Sequence, residues 1–367
     1  MKKTMKYVLM FALVWTVQTL FAQDFDKAFE ESKRIEQQIK RTSFPGRVYN
    51  IVDFGAKADD PAFACHEAIN LAIITCSQQG GGTVLVPDGT FYTGPITLKS
   101  NVNLHLTDKA TLKFLTDQKL YFPGVITRWE GVDCYNAHPL IYAYGETNIA
   151  LTGKGTIDGQ GSNEYWWYMC GAPHYGWKEG MKAQKLGGRE RLLGLAELKR
   201  PIHERVMTPD DALRPQLINF YHCNTVLIED VTLLNSPFWV IHPMFCESLI
   251  VRGVHIFNRG PNGDGCDPES CKNVLIENCH FDTGDDCIAI KSGRNEDGRK
   301  WSTPSENIIV RGCEMKNGHG GVVIGSEISG GYRNLFVEDC VMDSPELDRV
   351  IRIKTNTCRG GLIENIF

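Results

Sequence analysis

No Cys-x-x-Cys pair occurs among the 13 cysteines. This disfavours zinc ribbons and thioredoxin-like redox motifs. Beyond residue 22 no apolar run approaches the roughly 20 residues needed to span a bilayer. Positive charge is not in excess either: 39 Lys and Arg stand against 44 Asp and Glu, for a formal charge of −5. That balance argues against a general nucleic-acid binder. It leaves room for an acidic substrate, because a local basic cleft can sit on an acidic protein. Amphipathic helices are missing from the second half, where the gaps between apolar runs are short and rich in Gly and Asn. An ordinary βαβ protein needs such helices and is excluded on that ground.

The chain begins with Lys2, Lys3 and Lys6, then an apolar stretch from Tyr7 to about Val17, then Leu20-Phe21-Ala22. This order predicts a secretory signal peptide over 1–22 and an exported protein, periplasmic or extracellular. Its removal brings the charge to (39 − 3) − 44 = −8. Export permits disulfides, and the odd cysteine count leaves at least one thiol without a partner in its own chain. The segment 23–43 reads as helical, with an amphipathic stretch from Asp24 to Arg41 expected to cap the open N-terminal end. A second helix is expected over about 62–78.

From residue 225 onward a repeat organises the chain. The runs TVLIEDV, SLIVRGV, NVLIENC, NIIVRGC, NLFVEDC and GLIENI end at Val231, Val254, Cys279, Cys313, Cys340 and Ile366. A period of this size is a solenoid signature. One column holds Ile228, Val251, Ile276, Val310, Val337 and Ile363, all β-branched and suited to inward strand positions. The next column is charged throughout. The one after it reads Asp230, Gly253, Asn278, Gly312, Asp339 and Asn365, types that tolerate a left-handed bend. Apolar, charged, bend, apolar describes a strand turning a corner. Each repeat is therefore one coil of an all-β parallel β-helix, with rungs about 4.8 Å apart.

The β-helix is expected over 44–367, with an insertion at about 163–215. LIENIF stops in mid-coil, which predicts a C-terminally incomplete solenoid. Cysteines fall into the stacked columns, where buried thiols and a Cys246–Cys271 disulfide are the competing readings. The aromatic run Tyr165 to Tyr168 suits either the insertion's core or a sugar-stacking platform.

A second alignment follows each corner. Stacked together, the runs place Asp264 beside Asp286, with Asp285 next to them and His319 one rung on. Arg352 and Lys354 follow on the next rung, two residues apart and so on one face. Lys291 and His242 are further candidates. Taken singly, each aspartate suits a turn. Together, three carboxylates, an imidazole and several cations suit hydrolysis of a sugar that carries a carboxylate. Crowding is expected to keep one carboxyl protonated.

NGDG (262–265), GDD (284–286), GHG (318–320) and RIK (352–354), in this order, resemble the pectin-degrading polygalacturonases, glycoside hydrolase family 28. VDFGAK, GGGTVLVP, TGPITLKSNVNLHL, GTIDGQG and SPFWVIHP are similar to the same family. The resemblance implies a right-handed parallel β-helix (a pectin lyase-like solenoid) and an inverting hydrolase with no metal and no cofactor. Carried over, Asp285 is the general acid, Asp264 and Asp286 hold and deprotonate the water, and His319 tunes the acid. Arg352 and Lys354 bind the substrate carboxylate, and Asn262 orients Asp264. Gly263 stands where the family commonly has Thr, and this chain ends too soon to show the substrate-contacting tyrosine that the family usually has beyond RIK.

The expected substrate is an acidic polysaccharide, galacturonan or pectin, cut by a monomer at α-1,4-galacturonosyl linkages. Exo action is favoured, because the insertion could close one end of the cleft. Nucleic acid and membrane insertion are not expected. A rhamnogalacturonan or substituted-galacturonan hydrolase is the alternative, and a pectin or pectate lyase or a non-catalytic pectin-binding solenoid stands further off.

Overall fold

The computed structural model describes residues 26–367, so the expected signal peptide lies outside the described residues. Parallel strands dominate. A ten-stranded sheet runs from Val48–Asn50 through Asn224–Glu229, Glu247–Arg252, Lys272–Glu277, Ser305–Arg311 and Tyr332–Glu338 to Ile363–Ile366. A seven-stranded sheet from Gly89–Thr93 to Glu314–Asn317 forms the second wall. The third wall comprises a four-stranded and a three-stranded sheet. Single bridges at Cys266 and Glu269 join them, linking Ile241 to Ile288 and Met244 to Lys291. The chain is a parallel β-helix.

The repeat register matches the columns read from sequence. Ile228 pairs with Val251, Val251 with Ile276, Ile276 with Val310 and Val310 with Val337. Asp230, Asn278, Asp339 and Asn365 all have positive φ, as a left-handed corner requires. The inward columns fill one continuous core from Ile51 to Leu347.

The N-terminal end of that core is sealed by the helix His66–Gln78, which buries Ile69, Ala72, Ile73 and Cys76. The earlier helix, over 26–38, does not cap this end as expected. It lies on the flank of the long sheet, where Ala28, Ile35 and Ile39 cover Ile250, Leu275, Ile309 and Phe336. The reason is a second apolar column: these sheet residues point outward, and only a covering element removes them from water. Glu36 joins Arg311 at 3.0 Å across the same contact.

All 13 cysteines are free thiols. The Cys246–Cys271 disulfide is not formed. Each sulfur instead reaches a backbone carbonyl, Cys246 to Phe220 at 3.2 Å and Cys271 to Pro243 at 3.3 Å. No described helix is long and apolar enough to cross a membrane.

Two excursions leave the coils. Val125–Trp129 and Val132–Asn136 form an antiparallel hairpin that the sequence reading missed. The insertion, which carries the helix Gly188–Glu197, packs Leu192, Met207 and Leu213 against this hairpin's Trp129, Val132 and Cys134. Trp166 and Met169, from the aromatic run and just beyond it, join the main core, which favours the packing reading for that part of the insertion.

Candidate active site

Backbone pairing builds the site. Gly265 N donates to Asp286 O at 3.0 Å, which sets Asp264 beside Asp286 on adjacent rungs. His319 N donates to Asp285 O at 3.0 Å, which stacks those two. Arg352 pairs with Val323, and Lys354 N donates to Ile324 O at 2.8 Å.

Neighbours on a regular strand face opposite ways, so Asp285 and Asp286 need a corner to share a site. One strand ends at Thr283 and the next begins at Asp286. Gly284 and Asp285 are the corner between them, and Thr283 Oγ1 donates to Asp285 O at 2.9 Å. A Cβ on Gly284 would meet Gly260 O at 2.4 Å. The glycine is there because two backbones pass too closely for a side chain.

Asp264, Asp285 and Asp286 bring carboxylate oxygens within 4.8 Å of one another. Asp264 and Asp286 are buried, and Asp285 opens to solvent. Lys354 Nζ donates to Asp286 Oδ2, and His319 Nδ1 lies 3.0 Å from Asp285 Oδ1. This trio is the group among the described residues with the geometry to ligate a metal ion. Lys354 and the buried Lys291 already place two ammonium groups against it.

The electrostatics divide the carboxyls differently from the expectation. Burial, with the charges of Asp285 and Asp267, pushes Asp264 well above the usual carboxylate range. Burial also tends to raise Asp285, but the His319 hydrogen bond and the charges of His319, Lys354 and Lys291 outweigh it and hold Asp285 low. The same hydrogen bond raises His319. Both shifts favour placing the proton of the Asp285–His319 pair on the imidazole.

Two expected substrate ligands are placed elsewhere. Lys291 is buried, with Nζ 3.4 Å from Asp267, 3.5 Å from Glu327 and 3.6 Å from Asp264. It lies 4.4 Å from the ring centre of Trp239. His242 is also buried, with Nε2 2.8 Å from Glu269 Oε2. Both point outward from the third wall, as their parity requires, but neighbouring groups roof that face. Arg128 of the hairpin pairs with Glu269 at 2.8 Å, and Trp239 covers the His242 ring edge. Lys291 and His242 are buried behind the trio and do not line the cavity. Arg352, by contrast, is half-buried and has no ion-pair partner among the described residues.

The site opens into a cavity of about 540 Å³. Asn262, Gly284, Asp285 and His319 form one side, while His174, Tyr175, Gln184, Lys185 and Arg189 of the insertion form the other. Glu130, at the hairpin tip, completes the wall and pairs with Arg189 at 2.8 Å.

A model of glycosyl hydrolases family 28 matches residues 206–367. The crystal structure of a hyperthermoactive exopolygalacturonase from Thermotoga maritima is 46% identical, with a TM-score of 0.90 over 93% of this chain and 76% of that one. The chain belongs to glycosyl hydrolase family 28. A probable polygalacturonase of Vitis vinifera is 30% identical over 91% of this chain and 62% of that protein. An exo-poly-alpha-D-galacturonosidase of Dickeya chrysanthemi is 28% identical over 86% of this chain and 53% of that protein. The chain thus spans roughly half to two thirds of these curated relatives. Within this family 28 site, sequence reasoning missed Asp267, Glu327 and Arg214. Asp267 had a usable signal, an aspartate on the same rung as Asp264 and, next to the inward Cys266, on its outward face. Burial, with the charge of Asp286, pushes it up to about 8 against the opposing charge of Lys291.

Proposed function

We propose that this protein is an exported polygalacturonase that hydrolyses α-1,4-galacturonosyl linkages of pectin, as a monomer, from a chain end and with inversion. The observation that carries the reading is the Asp264–Asp285–Asp286 trio, with Lys354 on Asp286 and His319 on Asp285, at the edge of the cavity. Family membership supplies the reaction class and the inversion.

Asp285 is the general acid. A sugar entering the cavity displaces water from the Asp285–His319 pair. Loss of water disfavours separated charges, so the shared proton passes from imidazole to carboxyl, where it can be given to the leaving oxygen. Asp286, ion-paired with Lys354, takes the proton of the attacking water. Asp264, buried and high in pKa, holds that water by a hydrogen bond. Arg352 is free to bind the substrate carboxylate, and Asn262 to contact the sugar beside it. The exo reading is supported by the insertion, whose residues wall one side of the cavity.

Sizing the products from polygalacturonate over time tests this reading. Galacturonate from the first time point, released as the inverted anomer by proton NMR, is the expected result. A ladder of oligomers would replace exo with endo action. An unsaturated product absorbing in the ultraviolet, lost with chelator, would mark a lyase, and binding without new reducing ends a binding module.

A further inference from the structure

Arg214 is fully buried, and no carboxylate pairs with it among the described residues. The other buried arginines differ: Arg128 pairs with Asp133 at 2.7 Å and Glu269 at 2.8 Å, and Arg205 with Asp297. Every acceptor around Arg214 is neutral. Nη1 donates to Pro237 O at 2.8 Å and Pro261 O at 2.7 Å. Nη2 donates to Asn262 Oδ1 at 2.7 Å and Gln184 Oε1 at 3.1 Å.

A guanidinium has donors only. It therefore dictates which end of each amide it meets. The oxygens of Asn262 and Gln184 must face Arg214, and their NH₂ groups must point away from it. Both residues line the cavity, Asn262 from the solenoid and Gln184 from the insertion. Neither NH₂ has an acceptor among the described residues. Gln184 is only 4% exposed, and its unpartnered NH₂ keeps its opening on the cavity side.

We propose that Gln184 and Asn262, locked by Arg214, form a donor cradle for a carboxylate of the bound sugar. The cradle is separate from Arg352 and Lys354, and the insertion contributes half of it. A carboxylate is the fitting ligand because it only accepts hydrogen bonds, and because it supplies the anion that the buried guanidinium lacks. The inference rests on the galacturonan reading and names a second point at which that sugar's charge is recognised.

The test is calorimetric binding of galacturonate and of its methyl ester, neither of which turns over, to the wild type, Gln184→Glu and Gln184→Met. Gln184→Glu keeps the acceptor for Arg214 but loses the NH₂. Gln184→Met loses the NH₂ and adds no charge, and it carries the test if the first variant melts early. Both variants should bind galacturonate about tenfold more weakly, the scale of one hydrogen bond to a charged group. Methyl-ester affinity should change little in Gln184→Met. Weakening in Gln184→Glu alone would reduce the effect to charge repulsion and overturn the cradle. Equal weakening for both sugars in Gln184→Met would make the ligand a hydroxyl and overturn the carboxylate assignment. A wild type that releases galacturonate from polygalacturonate while these variants bind it normally would defeat the cradle and leave the enzyme reading standing. A wild type that neither binds nor releases galacturonate would defeat both.

Discussion

His319 Nδ1 stands 3.0 Å from Asp285 Oδ1, so one proton serves two groups. His319 is raised above 6.5; its contribution to stability is complete below that value and fades as pH rises through the raised one. Asp285 is lowered below 3.8; its contribution is present above that value and fades as pH falls through the lowered one. The pair thus works between the two. In His319→Gln the carboxyl loses its proton reserve, and the alkaline limb of kcat/KM should move to lower pH. A pH–rate profile of both proteins checks this, and an unmoved limb would remove His319 from the proton path.

Asp285→Asn should lower kcat by about 10²–10⁴-fold, the usual weight of general acid catalysis. KM should stay within a few-fold, because the amide fills the same space at the corner. Steady-state kinetics on oligogalacturonides would separate the two parameters.

Lys291→Met leaves Asp264, Asp267 and Glu327 buried without their shared cation. Removing one partner from a buried ionic cluster costs about 3–5 kcal/mol. Urea denaturation at neutral pH should show that loss. An unchanged midpoint would mean that Lys291 contributes nothing to the fold.

Gly284→Ala puts a methyl group 2.4 Å from Gly260 O. Overpacking of this kind costs about 1–3 kcal/mol. The corner should move, and activity should fall further than stability, because Asp285 and Asp286 ride on it. Melting curves beside kcat values test the comparison.

Thiol titration checks the core. Denatured, unreduced protein should yield 13 thiols, and the native protein should react first at Cys358, the exposed one. Fewer thiols before reduction would reveal a bridge.

What the sequence disclosed followed from periodicity. A strand's side-chain alternation and the coil length together fix which residues stack, so Asp264, Asp286, His319 and Lys354 could be aligned without coordinates. Periodicity says nothing about what covers a face. Lys291 and His242 have the expected parity, yet Trp239 and the non-repeating hairpin bury them. The same blindness misplaced the helix over 26–38: its landing site is the outward apolar column Leu227, Ile250, Leu275, Ile309 and Phe336, and the column does not say which element covers it. Gln184 and Arg214 were invisible for a further reason: their roles depend on an insertion with no register to read.

A solenoid whose coils touch only their neighbours tends to open from its ends, one coil at a time. The helix over 26–38 changes that behaviour here. It lies across the rungs carrying Ile250, Leu275, Ile309 and Phe336, and ties residue 36 to residue 311. Detaching one of those coils exposes part of a surface shared by all of them. The helix acts as a splint, and the catalytic coils beneath it should resist fraying and exchange their amide hydrogens as one cooperative block.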